Sequence, residues 1–299
     1  METLPQDQLE DIAKLLEAGD DYRVLRRLKP YVPLQGFAEE DLRTALFVDV
    51  ETTGLDYRQH EIIELAMVPF RYSLDGKIVR VLQPYSQLQQ PRRPIPAEIV
   101  ALTGITNEMV SGQNIDLVEV EKLVQTSHLI IAHNASFDRK FLERFSSAFA
   151  TKPWGCSLSD IDWATEGFQG TKLSYLAAEY GFFYDRHRAV NDCLAGIDIL
   201  SRTLPKSGAN AFSSLLANAR QTTWRIVAEN SPYELKDVLK ARGYRWNGGE
   251  NGRPKASYID VADELKEAEV EFLRRDIFKR SIDLNPFRIT AMERFSDRI

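Results

Sequence analysis

Phe47-Val48-Asp49-Val50-Glu51-Thr52-Thr53-Gly54-Leu55 places two carboxylates inside an apolar run. The run begins at Ala45-Leu46, is too short for a helix, and suits a buried β-strand. Side chains alternate faces along a strand, so Asp49 and Glu51 project to the same side. Two like charges in such a place each cost several kcal/mol in desolvation unless they are paired or hold a cation. A shared metal ion explains the pair better than solvation at a strand end. The Thr52-Thr53-Gly54-Leu55 that follows offers backbone N–H groups and a glycine permitting close approach, suited to a terminal sugar or phosphate. Read alone, it is equally an ordinary turn.

Outward from this strand, Ile62–Val68 reads as a second strand, and the turn Leu74-Asp75-Gly76-Lys77 leads to a third at Ile78–Leu82, as in a hairpin. Leu117–Val124 has helical spacing, Leu129–Ala132 suits a buried strand, and Phe137–Phe149 a helix with Phe141, Leu142 and Phe145 on one face. Helices at Leu173–Tyr180 and Ala189–Leu204 complete an α/β layer structure whose first three strands are antiparallel. Before it, in an N-terminal segment of residues 1–42, Leu9–Leu16 and Tyr22–Leu28 have helical spacing broken at Gly19-Asp20-Asp21, which predicts a short helical hairpin ended by Pro30 and Pro33 and followed by a polar linker through Glu39-Glu40-Asp41. After it, residues 210–299 read as a small α+β unit. Strands are expected at Trp224–Val227, Tyr244–Trp246 and Tyr258-Ile259, and a charged helix at Glu264–Lys279. The Ser231-Pro232-Tyr233-Glu234 stretch has the form of a capping box for a helix ending at Gly243.

Composition bounds the class. With 43% hydrophobic and 10% aromatic residues the chain can build a sizeable core. Its polar, acidic start and lack of any apolar run near ~20 residues predict a cytoplasmic protein without a membrane span. Cys156 and Cys193 have no CxxC spacing and read as small core residues. The net charge of −6 divides unevenly. Residues 1–200 carry 20 Lys and Arg against 30 Asp and Glu, and residues 201–299 carry 18 against 14. An acidic region can handle a polyanion when cations neutralise its carboxylates, and a basic neighbour can help hold phosphates. A well-solvated surface explains the split equally.

Two further segments carry chemistry-bearing side chains. His133-Asn134-Ala135-Ser136-Phe137-Asp138 stands where a strand gives way to a helix. On its own it reads as a helix start, with Asn134 or Ser136 as cap and Asp138 as a first-turn charge. His187-Arg188-Ala189-Val190-Asn191-Asp192 puts a histidine and a carboxylate near the start of another helix. Such a pair alone is more often a solvated helix start.

Together, in this order, the three segments resemble the DEDDh exonucleases of the ribonuclease-H-like fold, which include polymerase proofreading subunits and stand-alone exonucleases. Pro94-Ile95-Pro96 and Leu102-Thr103-Gly104-Ile105-Thr106 resemble the family's connection before its central helix. The resemblance covers about residues 43–204, within an expected exonuclease domain of 43–205. It implies that Asp49, Glu51, Asp138 and Asp192 hold two divalent ions, Mg²⁺ with Mn²⁺ as a usual substitute. It implies His187 as general base, with Thr52, Thr53, Gly54, Leu55, Asn134 and Phe137 framing the terminal nucleotide. The implied reaction is 3′→5′ hydrolysis of DNA, single-stranded ends preferred, to nucleoside 5′-monophosphates. Trimming of RNA 3′ ends by the same chemistry is the alternative, and a non-catalytic adaptor a third reading. Cys156-Ser157-Leu158-Ser159-Asp160-Ile161 departs from an Asp-Thr-like element of many proofreading members and, with Trp163, is closer to stand-alone single-strand exonucleases. No clamp-binding peptide of the Gln-x-x-Leu-Phe type occurs, so neither a clamp nor a polymerase partner is indicated. In the C-terminal unit Arg242, Arg245, Lys255, Arg274, Arg275, Lys279 and Arg280 interleave with Tyr244, Trp246 and Tyr258. They suit single-strand contact, with a protein-contact or homo-oligomer role as rival.

Overall fold

In a computed structural model that describes residues 4–249 and 252–299, the chain begins with one helix, α1 (Gln6–Glu17), and not a helical hairpin. The second half of the expected hairpin is extended. Arg26–Arg27 (β1) pairs in parallel with Phe182–Phe183, and the amides of Arg26 and Leu28 donate to the carbonyls of Gly181 and Phe183. Leu28 and Tyr31 pack on the main core, and that burial overrides the helical spacing of the segment.

The central sheet is built on β2 (Leu42–Thr52), which pairs antiparallel with β3 (Ile62–Ser73). β4 (Ile78–Val81) and β5 (Tyr85–Leu88) pair antiparallel with opposite ends of β3. Two short helices, α2 (Ala97–Thr103) and α3 (Asn107–Val110), are separated by Gly104, whose φ of 71° ends the first of them. Helix α4 (Leu117–Thr126), capped by the Asp116 side chain, leads into β6 (Leu129–Ala132). Next come α5 (Ala135–Phe145) and β7 (Trp154–Cys156). β6 runs parallel to β2, and β7 parallel to β6. The result is the mixed sheet of the ribonuclease-H-like expectation, with four antiparallel strands, β5 being one more than the three expected, followed by parallel ones.

Helices α6 (Leu173–Glu179), α7 (Ala189–Ser201) and α8 (Ala211–Arg220) follow, with β8 (Phe182–Phe183) between the first two. β2 divides two cores by its alternation. Ala45 and Phe47 face the layer of α7 and α8, whereas Leu46, Val48 and Val50 face α4 and α5. Asp49 and Glu51 continue the first series and so point to the α7 side.

Gly196 sets how closely α7 lies on the sheet. A Cβ there would stand 2.3 Å from Cζ of Phe47, a ring 1% exposed with no room to yield. Gly196→Ala therefore forces α7 off β2 and carries Asp192 away from Asp49. Overpacking of this kind costs about 1–3 kcal/mol. Denaturant melts should register this loss. A melt unchanged from wild type would show that the close approach is dispensable.

The remaining chain forms a second sheet from β9 (Thr223–Ala228), β10 (Arg245–Asn247), β11 (Ala256–Ala262) and β12 (Phe287–Ile289), in the order β10-β11-β9-β12. Helices α9 (Lys236–Ala241) and α10 (Lys266–Phe272) accompany it, the latter continued by a π-helical turn to Phe278. The expected capping box at Ser231 does not form. A 3₁₀ turn, Tyr233–Leu235, precedes α9 without a side-chain cap, although Gly243, with φ of 97°, does stand just past the helix end. The final residues return to the first layer. Arg139, fully buried, donates to the carbonyls of Ala291, Met292 and Arg294 and pairs with Glu143 at 2.7 Å. Of the expected tail surface, Tyr244 is buried with its hydroxyl on Glu269, Arg242 pairs with Glu269, and Arg275 pairs with Asp276.

Candidate active site

At the end of β2 the register with β3 slips between Glu51 and Thr52. Such bulges end pairing and re-aim side chains. Asp49 and Glu51 leave the strand just before this point, and Asp192 comes to them from the first turn of α7. Each of the three offers a carboxylate oxygen within 4.8 Å of the others. Asp138 arrives from the opposite layer, on α5, and its Oδ1 accepts from the amide of Val50 at 3.2 Å. It stands beside the trio rather than within it, yet its charge is among those acting on Asp49 and Glu51. The four predicted carboxylates are thus neighbours, three tightly clustered and the fourth bonded to the strand that carries two of them.

Their electrostatics follow from that crowding. Burial, then the charges of Asp138, Asp192, Glu51 and Glu64, hold Asp49 well above the usual carboxylate range. Burial and the same neighbours push Glu51 up to about 8, and burial brings Asp138 to about 7. Asp192 is also raised by burial, against the lowering effect of hydrogen bonds from Tyr184 and His187. With no cation these groups resist ionising together.

His187 sits on the loop before α7 with φ of 61°, and its amide donates to Asp192 Oδ2 at 3.0 Å. Asn134, at the start of α5, has φ of 145° and makes no side-chain cap, so the helix-cap reading of that residue does not hold. A left-handed backbone at a residue other than glycine costs ~1–3 kcal/mol and is retained where the surroundings over-determine it. Two candidate site residues carry it here.

The remaining predicted residues surround the end of β2. Thr52 is buried and its hydroxyl donates to the carbonyl of Gly54 at 2.7 Å. Thr53 Oγ1 accepts from the amide of Glu61 at 3.0 Å. A Cβ at Gly54 would fall about 2.5 Å from the His60 ring, so the close approach that this glycine permits is to this half-exposed histidine, which would have to shift for any larger residue. Leu55 is 85% exposed, and Phe137 packs on Phe141 at 5.0 Å between ring centroids. His133, the first residue of the second segment, is structural. Its Nε2 can only donate to the carbonyl of Thr171 at 2.7 Å, which leaves Nδ1 to accept from Ser157 at 2.9 Å. Burial brings it down to about 4, so it is neutral at physiological pH. The unusual Cys156–Ile161 segment serves the same packing. Asp160 accepts from the amide of Cys156 and pairs with Arg294, while Trp163 Nε1 donates to the carbonyl of Ser157.

Two residues of the site were not singled out from sequence. Glu64 lies directly opposite Glu51 across the β2–β3 pair and is 1% exposed. Facing like charges destabilise a sheet, and Arg188 answers them by pairing with Glu64 at 3.0 Å while the amide of Ala189 donates to the same carboxylate. Glu64 therefore ties the start of α7 to β3. The signal was present as a lone acid in the apolar run Ile62-Ile63-Glu64-Leu65-Ala66. Tyr184 donates to Asp192 Oδ1 at 2.8 Å and orients that carboxylate, and nothing local in its sequence announces this.

Comparison with known proteins extends the geometry. The RNase_T family model, described as exonuclease, matches residues 46–200. DNA polymerase III subunit epsilon of Aquifex aeolicus (strain VF5) is 32% identical over 168 residues, covering 54% of this chain and 80% of that protein. PolC-type DNA polymerase III of Halalkalibacterium halodurans is 39% identical over 100 residues, which is 31% of this chain and only 6% of that much longer protein. A solved structure of exonuclease X in complex with 5′ overhanging duplex DNA is 27% identical, with a TM-score of 0.40, over 56% of this chain and 99% of that one. Because the family model spans more than half of the sequence and contains the whole carboxylate cluster, the chain belongs to the RNase T exonuclease family and is an enzyme of the 3′→5′ exonuclease class.

Proposed function

We propose that this chain removes nucleotides one at a time from the 3′ end of DNA, single-stranded ends preferred, and releases nucleoside 5′-monophosphates. The observation that carries this reading is the carboxylate trio of Asp49, Glu51 and Asp192, half-buried at the end of a strand with ligand oxygens within 4.8 Å of one another. Exonucleases of this family work with divalent metal ions. The donor set fits such ions, being anionic, made of oxygen alone and closely spaced, as hard cations require. Asp49, Glu51, Asp138 and Asp192 would hold two of them, Mg²⁺ with Mn²⁺ able to substitute. Bound there, they supply Lewis acidity at the scissile phosphate and favour ionisation of water at neutral pH.

The chain's own side chains do the rest. Tyr184 holds Asp192 by one oxygen while the amide of His187 holds the other. His187 serves as general base, since an imidazole can take a proton near neutral pH and return it to solvent. Thr52, Thr53, Gly54, Leu55, Asn134 and Phe137 frame the terminal nucleotide, with exposed Leu55 free to meet the base. The testing experiment is digestion of matched DNA and RNA oligonucleotides, single-stranded and recessed, with Mg²⁺ titrated against chelator. Mononucleotides should appear fastest from single-stranded DNA and cease in excess chelator. Faster release from RNA would transfer the assignment to an exoribonuclease, and release in chelator would overturn the metal chemistry.

A further inference from the structure

A cleft of about 920 Å³ separates the loop after β2 from the second sheet. One wall holds Tyr57 and Arg58, from the loop that follows Glu51, with Ser136 and Lys140 from the helix that carries Asp138. The other wall includes Arg225, Arg245 and Trp246 of the second sheet. Of the cations that line it, Arg58 pairs with Asp56, Lys140 with Asp297 and Arg294 with Asp160, so the positive charge of the cleft is concentrated on the second sheet.

The basic wall is built rather than tethered. The guanidinium groups of Arg225 and Arg245 lie 4.4 and 4.9 Å from the centroid of the Tyr258 ring, and both bond the single carboxylate of Asp260, at 2.7 and 2.6 Å. Two cations on one anion leave a positive charge fixed at the cleft. Beside them Trp246 is 66% exposed. An indole held at the rim of a positive groove is a platform for a nucleic-acid base, and fixed cations along the groove suit phosphates.

Resting on the exonuclease reading above, we infer that this cleft binds the single-stranded polynucleotide upstream of its 3′-terminal residue. A base stacks on Trp246, and the phosphates follow the wall formed by Arg225 and Arg245. An acidic peptide is the rival occupant. It would use the cations but has no base to stack on Trp246.

The test is fluorescence anisotropy of the full chain with a 5′-labelled oligothymidine of about 12 nucleotides, in excess chelator so that nothing is cleaved. Trp246→Ala should raise Kd about 5- to 100-fold, and Trp246→Phe, which keeps an aromatic face, should restore it to within about threefold. Arg245→Gln should lower the slope of log Kd against log salt by about 0.7. Kd values within twofold of wild type in both Trp246→Ala and Arg245→Gln would overturn the proposal, as would displacement of the oligonucleotide by polyglutamate of equal charge at equal concentration. Mononucleotide release by the wild-type chain in Mg²⁺ is the separate readout. Release with unchanged Kd values refutes the cleft alone, and absence of release refutes the exonuclease reading whatever the Kd values are.

Discussion

Asp49→Asn should lower mononucleotide release by at least about a thousandfold while raising the melting temperature of the protein in chelator. The two effects share one cause. Asp49 stands half-buried among Asp138, Asp192, Glu51 and Glu64, and desolvation together with their charges holds its carboxyl well above the ordinary range. The amide keeps the shape of the side chain and deletes its share of the repulsion, so the metal-free fold gains. It also deletes an anionic donor from the trio, so a cation binds less well and the developing charge on the phosphate is less stabilised. Release kinetics at saturating Mg²⁺, with calorimetric melts in chelator and in Mg²⁺, check both halves. A variant within tenfold of wild-type rate would remove Asp49 from the machinery, and an unchanged melting temperature in chelator would show that the cluster stores no repulsion.

The second large effect is a pH dependence of stability that Mg²⁺ abolishes. A carboxyl whose folded pKa lies above its unfolded value binds a proton more readily in the native state, so stability falls as pH rises between the two values. For Glu51 that interval ends at about 8, and for Asp138 at about 7. His133 acts in the opposite sense. Burial takes it down to about 4, so the native state binds fewer protons than the unfolded chain and stability rises with pH up to the unfolded histidine value of ~6.5. Above that pH the carboxylates act alone. In chelator, urea unfolding should therefore show a loss of about 2 kcal/mol between pH 6.5 and pH 8, by the Glu51 shift alone. Mg²⁺ should stabilise the protein more at pH 8 than at pH 6, because only there are the ligands already ionised. A metal-free stability that is flat or rising above pH 6.5 would contradict the burial of this cluster.

Much of this site could be read along the chain because its signals are local. A period of two along an apolar run put Asp49 and Glu51 on one face, and β2 places both toward α7. The short apolar run at Leu129–Ala132 became β6 with the expected limits, and the helical spacing after it became α5, which begins two residues and ends four residues before the expected bounds and gives way to a 3₁₀ turn at Ser147–Thr151. Local signals failed where distant contacts outweighed them. Tyr22–Leu28 has helical spacing, yet the segment gains more by lending Leu28 to the core and its backbone to Phe182–Phe183. The capping pattern at Ser231 gave way to a 3₁₀ turn. Helix α8, whose Phe212, Leu215 and Leu216 are buried in the main core, follows Pro205-Lys206-Ser207-Gly208, a stretch that locally reads as the end of a unit.

The candidate carboxylates and their order could be read along the chain, because charges embedded in apolar runs are intelligible without knowing what lies across from them. How they combine is a matter of contacts between distant segments. Asp192 joins Asp49 and Glu51 because Gly196 lets α7 lie against Phe47, while Asp138, coming from the other layer, bonds the strand instead. Glu64 and Tyr184 acquire their parts through strand register and chain return, which no local window contains. The cleft beside the site likewise exists only because residues 223–289 fold back across the loop after β2, and the physical reason is the same: burial, repulsion and enclosure belong to groups brought together from far apart in the chain.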